Sequence, residues 1–185
     1  MINAERIVRE LDSHLDHAVS LVLYGRAALA LGFADAPDAV KFSLDVDAII
    51  PMSSVDSFQN DEQFWTAQQQ ANSALEGDGL YITHLFEAKE VFLRRDWEKQ
   101  IVPIALAGLR WLKLVRPATL DLVLTKMMRG NDVQDMADAK FMIEHDKISR
   151  KQLEEAFAVM NPIELVELRD AFAKARPIVT GFAAD

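Results

Sequence analysis

The sequence predicts an α/β (α+β) protein: a small mixed sheet followed by a C-terminal helical bundle packed on it. Three observations carry that expectation. Short apolar runs of strand-like composition occur at 18–24 and 41–50, each ended by a glycine or a proline. From Pro117 onward the apolar residues recur only at the helical period, as in Leu120, Val123, Leu124, Met127 and Met128. Half of the 185 residues are hydrophobic and 26% are charged, which supplies a core and argues against disorder. The expected division is an α/β core over 1–116 and a helical part over 117–185.

The elements follow in order. Residues 3–17 read as a helix, with Ile7, Val8, Leu11 and Leu15 in one stripe. After the strand at 18–24, Gly25 turns the chain into a short Ala/Leu-rich helix over 26–31 that Gly32 stops. Residues 33–40, with Pro37 and two aspartates, read as a loop before the second strand at 41–50. A helix over 60–75 opens with Asn60 and Gln63 in capping-box spacing and closes at Gly77. Strands are expected at 79–86 and 90–93, as an antiparallel pair, and at 109–115. In the helical part, Gly130 ends the helix of the Leu/Met stripe, and Asn131 with Gln134 caps the next. Ser149 with Gln152 caps a third, whose stripe is Leu153, Ala156, Phe157 and Met160. Asn161, Pro162 and Glu164 open the last.

Charge and composition exclude several classes of function. Lys plus Arg number 20 against 29 Asp plus Glu, a formal charge of −9, so a general DNA- or RNA-coating role is not expected. There is no cysteine, which removes disulfides, thiolate zinc sites and thiol catalysis together. The apolar runs are too short to span a membrane, and the first residues lack a signal-peptide pattern, so a cytoplasmic location is expected.

The candidate chemistry centres on Asp45 and Asp47. Side chains alternate along a strand, so both carboxylates leave one face while Leu44, Val46 and Ala48 leave the other. Same-face positions lie roughly 6.5–7 Å apart, a spacing from which flexible carboxylates can converge on one or two divalent ions. Such ions stabilise both the attacking and the leaving oxygen of a phosphoryl transfer. Backbone N–H groups after Gly25, at a helix start, suit a triphosphate, with Arg26 beside them. Lys126 and Arg129, three apart on a helix, share a face and suit phosphate as a compact charge and a bidentate fork.

Strand, glycine turn, short helix and a strand bearing Asp-x-Asp is the order of the nucleotidyltransferase superfold. Over about 19–143 the chain resembles the bacterial nucleotidyltransferase-like family that includes the AbiEii-type toxins. Besides those features, the resemblance rests on Tyr81-Ile82-Thr83-His84-Leu85-Phe86. It rests above all on Asp121-Leu122-Val123-Leu124-Thr125-Lys126-Met127-Met128-Arg129, followed by Asp132, Asp135 and Asp138. The resemblance implies a sheet of nucleotidyltransferase type. It also implies a metal-dependent enzyme moving a nucleoside monophosphate from a nucleoside triphosphate to an RNA or protein acceptor. Mg²⁺ or Mn²⁺ would be the cofactor, and an antitoxin-like protein a possible partner. It implies a third carboxylate, with Glu87 the candidate and Glu90 the alternative. Either Asp132 or, preferentially, Asp135 would orient Lys126 or handle the acceptor proton.

The same residues have plainer readings. Asp45 and Asp47 fit the solvated face of an edge strand, Lys126 and Arg129 fit a helix C-terminus, and Asp132 and Asp135 fit a helix start. His14 and His17 have the spacing of a metal pair or of a charged outer helix face, and His84 that of a core or rim histidine. Met127 and Met128 read as core. Two features depart from the family pattern: Arg26 follows Gly25 where Gly or Ser is usual, and the segment 33–40 lengthens the path to Asp45. They keep open a catalytically degenerate relative that works as a nucleotide- or partner-binding module.

Overall fold

The computed structural model describes residues 1–161 and 164–184, except the side chain of His84. The chain forms two compact units, Met1–Ala88 with Val102–Arg116, and Lys89–Ile101 with Pro117–Asp185.

The first unit runs α1 (Asn3–His14), β1 (Val19–Tyr24), α2 (Gly25–Gly32), α3 (Asp38–Lys41), β2 (Asp45–Ile50), α4 (Val55–Gln59), α5 (Glu62–Leu75), β3 (Tyr81–Glu87), β4 (Val102–Pro103) and β5 (Leu112–Arg116). The strands make one mixed sheet in the order β3-β2-β1-β5-β4. β1 runs antiparallel to β2 and parallel to β5, β2 runs parallel to β3, and β4 closes the far edge antiparallel to β5. Ile7, Val8 and Leu11 of α1 are buried, as are Phe64, Ala67, Ala71 and Leu75 of α5, and the two helices pack together. Asp12 adds a polar tie. Its carboxylate accepts from the backbone N–H groups of Arg110, Trp111 and Leu112 at 2.8, 2.7 and 2.7 Å. Burial opposes its charge, but those three donors and the nearby Arg110 charge hold it below the usual carboxylate range.

Several local expectations are corrected here. Residues 38–41 form a helical turn opened by Pro37, a residue preset for helix entry, so the second strand begins at Asp45 rather than Lys41. Leu44 consequently lies outside the strand and is 55% exposed, instead of packing beside Val46 and Ala48. The helix after Pro51 is capped by Asp61, which accepts from the Phe64 N–H at 2.9 Å, not by Asn60, which ends the preceding α4 instead. β3 pairs in parallel with β2, and no strand forms at 90–93.

The second unit contains α6 (Thr119–Lys126), α7 (Val133–His145), α8 (Arg150–Val159) and α9 (Val166–Phe182). Leu122, Leu124, Met127, Met142, Ile143 and Leu153 are fully buried there, whereas Met128 is half-buried. The expected capping box is present at Ser149 and Gln152. The cap of α7 is Asp132, not Asn131, and its carboxylate accepts from the Asp135 N–H at 2.9 Å. Val91, Phe92 and Leu93 are buried as irregular chain. Their neighbours attach to the helices: the Asn161 N–H donates to the Leu93 carbonyl, and Arg94 grips the buried Asp121 through its backbone N–H and guanidinium. α9 begins at Val166, later than expected, and Pro162 lies outside the described residues. Among the described residues, no helix is long and apolar enough to cross a membrane.

Candidate functional site

β1 and β2 deliver the glycine turn and the aspartate pair to one place. Tyr24, the last residue of β1, is the ladder partner of Asp47, so Gly25 begins α2 directly beside it. Gly25 has φ +63°, which glycine adopts without steric strain. A Cβ at that position would stand 3.1 Å from Asp47 Oδ2. The close approach of carboxylate to backbone therefore uses both properties of glycine, its free φ and its missing side chain.

Asp45 and Asp47 are both half-buried and leave the same face of β2. The Ser43 hydroxyl donates to Asp45 Oδ1 at 2.8 Å, and the Thr83 hydroxyl donates to Asp47 Oδ1. Neither acid is bare, and each keeps further acceptor capacity, since an ionised carboxylate has about four lone-pair sites.

The β2–β3 ladder decides where Glu87 goes. Asp45 pairs with Tyr81 and Val46 with Ile82, but Ala48 pairs with Leu85, so Thr83 and His84 together oppose Asp47. One extra residue in β3 inverts the alternation beyond it. Thr83 meets Asp47 in the register set by Tyr81 and Ile82, whereas beyond the extra residue Glu87 pairs with Ile50, on the opposite face and about 10 Å further along the strand. The ladder does not bring Glu87 to the aspartates. Glu90 sits, exposed, on a helical turn at Ala88–Glu90 and belongs to the second unit.

The two departures at the glycine turn are physically one feature. Arg26 donates from Nη1 to the Ala39 carbonyl of α3 at 3.1 Å. The guanidinium is thus anchored on the segment that lengthens the path to Asp45. Compared with protein-family models, with curated proteins and with solved structures, the chain matches none of them significantly.

In the second unit, Lys126 is 6% exposed and its ammonium donates to Asp135 Oδ1 at 2.9 Å and to Asp138 Oδ2 at 2.7 Å. Arg129 donates from Nε to Asp135 Oδ2 at 2.5 Å and reaches the α7 cap Asp132 at 3.3 Å. Burial pushes the Asp135 carboxyl up, but the Arg129 bond and the Lys126 charge outweigh it and hold the group below the usual range. The Asp135 bond in turn raises Arg129. Two cations and three anions satisfy one another here, with Asp135 bridging both cations. Arg129 remains more than half exposed, whereas the Lys126 ammonium is enclosed.

A divalent ion fits the aspartate corner on chemical grounds. Mg²⁺ is held in phosphate-transferring sites by one or two carboxylates, with substrate phosphates and water completing the shell. Asp45 and Asp47 supply that number from one face. Among the described residues, no three His, Asp or Glu side chains group as a ready-made metal cage. His14 and His17 meet carboxylates: His14 lies 3.1 Å from Glu10, and His17 lies between Asp16 at 2.9 Å and Asp61 at 2.8 Å. Those two carboxylates raise the His17 pKa. The side chain of His84 lies outside the described residues. Sequence reasoning missed Ser43 and Thr83; a hydroxyl two residues before Asp45 was visible, but the Thr83 contact depends on strand pairing.

Proposed function

We propose that the protein is a metal-dependent nucleotidyltransferase of the AbiEii-like kind, moving a nucleoside monophosphate from a nucleoside triphosphate to an RNA or protein acceptor. The observation that carries the reading is the packing of Asp47 against the glycine that opens α2, with Asp45 on the same strand face. That corner combines a carboxylate pair suited to Mg²⁺ or Mn²⁺ with backbone N–H groups at a helix start suited to phosphate. The mixed sheet, with the two strands flanking the turn adjacent and antiparallel, supports a fold of nucleotidyltransferase type. In this reading Asp45 and Asp47 hold the ion and Gly25 admits the phosphates. Within the second unit, Asp135 positions both Lys126 and Arg129, and Arg129 is the more open of the two cations.

A second reading, a nucleotide-binding relative that no longer transfers, is favoured by one specific observation: the β3 residue facing Asp47 is Thr83, and Glu87, the expected third carboxylate, pairs with Ile50 on the other strand face. One experiment separates the two. The purified protein is incubated with each labelled nucleoside triphosphate, Mg²⁺ and either total RNA or a protein extract. Label transfer that disappears in Asp45→Asn supports the enzyme, and transfer that survives that substitution ends the proposal. Metal-dependent nucleotide binding without transfer to either acceptor selects the second reading.

A further inference from the structure

A groove of about 790 Å³ runs along the outer edge of β3 and is bounded by α5. Its lining includes Gln69, Ser73 and Glu76 of α5 and Tyr81 and Thr83 of β3. The size falls in the range of small-ligand sites.

An added peptide strand does not suit this edge, because α5 already occupies its hydrogen-bonding groups. Asn72 accepts from the Ile82 N–H at 2.7 Å and donates to the Ile82 carbonyl at 3.1 Å, and Gln68 donates to the Thr83 carbonyl at 3.0 Å. The two side-chain amides stand in for a neighbouring strand. What remains for a ligand is side-chain chemistry: an amide, a hydroxyl, a carboxylate and a phenol. Glu76 makes the groove unfavourable for a phosphate and favourable for an uncharged group that donates hydrogen bonds.

Two residues join the groove to the aspartate corner. Thr83 bonds Asp47, and Tyr81 is the ladder partner of Asp45, so its ring leaves the sheet on the same face as the carboxylate. Tyr81 is 44% exposed, which leaves an aromatic surface open beside the proposed ion. Aromatic rings in such positions stack nucleobases, planar groups whose edges seek amides and carboxylates.

We infer that this groove receives the base of the nucleoside triphosphate, stacked on Tyr81 with its edge toward Gln69, Ser73 and Glu76. The inference rests on the proposed function, since the phosphates must lie at Asp45 and Asp47. The test is calorimetric titration with Mn²⁺ of inorganic triphosphate and of each of the four nucleoside triphosphates. It uses the wild-type chain, Ser73→Trp, which fills the groove from an exposed helix position, and Tyr81→Ala. In the wild type, at least one nucleoside triphosphate is expected to bind tenfold or more tightly than inorganic triphosphate. Both variants are expected to lose that advantage while still binding inorganic triphosphate, which also reports that they are folded. Nucleotide no tighter than triphosphate, or variants that keep the advantage, overturns the base site and leaves the aspartate corner standing. A wild-type chain that binds neither ligand overturns both.

Discussion

Gly25 and Asp47 approach so closely that a single methyl group on the glycine would press on the carboxylate, 3.1 Å from Oδ2. The backbone there has φ +63°, where a side chain is strained in its own right. Gly25→Ala is therefore expected to destabilise the protein by about 1–2 kcal/mol. It is also expected to move the carboxylate and weaken Mn²⁺-dependent nucleotide binding at least tenfold. Urea unfolding checks the first effect and titration the second. Undiminished binding in this variant would remove the turn from the site.

Asp45 and Asp47 accept from the Ser43 and Thr83 hydroxyls on a half-buried strand face, so exchanging either for its isosteric amide keeps the packing and removes the charge that a metal ion needs. Asp45→Asn and Asp47→Asn are expected to change thermal stability little, by about ±0.5–1 kcal/mol. Each should reduce metal-dependent binding or transfer by two orders of magnitude or more. Removing the divalent ion with a chelator should reproduce that loss in the wild type. Full activity in the presence of chelator would contradict the assignment.

Lys126 behaves oppositely. Its ammonium neutralises Asp135 and Asp138 in a closed setting. Lys126→Met leaves two carboxylates with one fewer cation and is expected to cost about 3–5 kcal/mol. Arg129→Gln, at a more exposed position, is expected to cost far less stability. Equal destabilisation by both changes, measured by denaturant midpoint at constant slope, would rule out this division of labour.

Asp12 gives an acid-sensitive tie. Its pKa is lowered in the folded chain, so the stability it contributes is complete above the unfolded value near 3.8 and is lost as pH falls through the folded one. Asp12→Ala is expected to cost about 2–4 kcal/mol at pH 7, since three backbone donors lose their acceptor. The difference between wild type and variant should narrow below about pH 4. A difference that stays constant down to pH 2 would assign the loss to packing instead.

His17 works with the reverse sign. Asp16 and Asp61 raise its pKa, so its contribution is complete below the unfolded value near 6.5 and is lost as pH rises through the folded one. Because the His17 side chain is 42% exposed, solvent screens the effect and keeps it small. The Tm difference between the wild type and His17→Gln is expected to be larger at pH 6 than at pH 9. A larger difference at pH 9 would contradict the ion-pair account.

Local pattern determined much of this protein. The stripe Ile7, Val8, Leu11 placed the first helix, Ser149 with Gln152 announced a capping box that forms, and alternation around Asp45 and Asp47 put both acids on one strand face. These signals survive because they depend on residues a few positions apart. Tertiary structure alone decided the rest. The pairing of β3 with β2 brings Thr83 to Asp47, and an extra residue beyond it turns Glu87 away from the aspartates, a matter of register between distant strands. Asp12 finds its donors about 100 positions away, and the apolar run Val91–Leu93 is buried without becoming a strand, because its partners are helices of the second unit. Whether Lys126 is offered to phosphate or enclosed by two aspartates follows from how α7 packs on α6, which no single helix encodes.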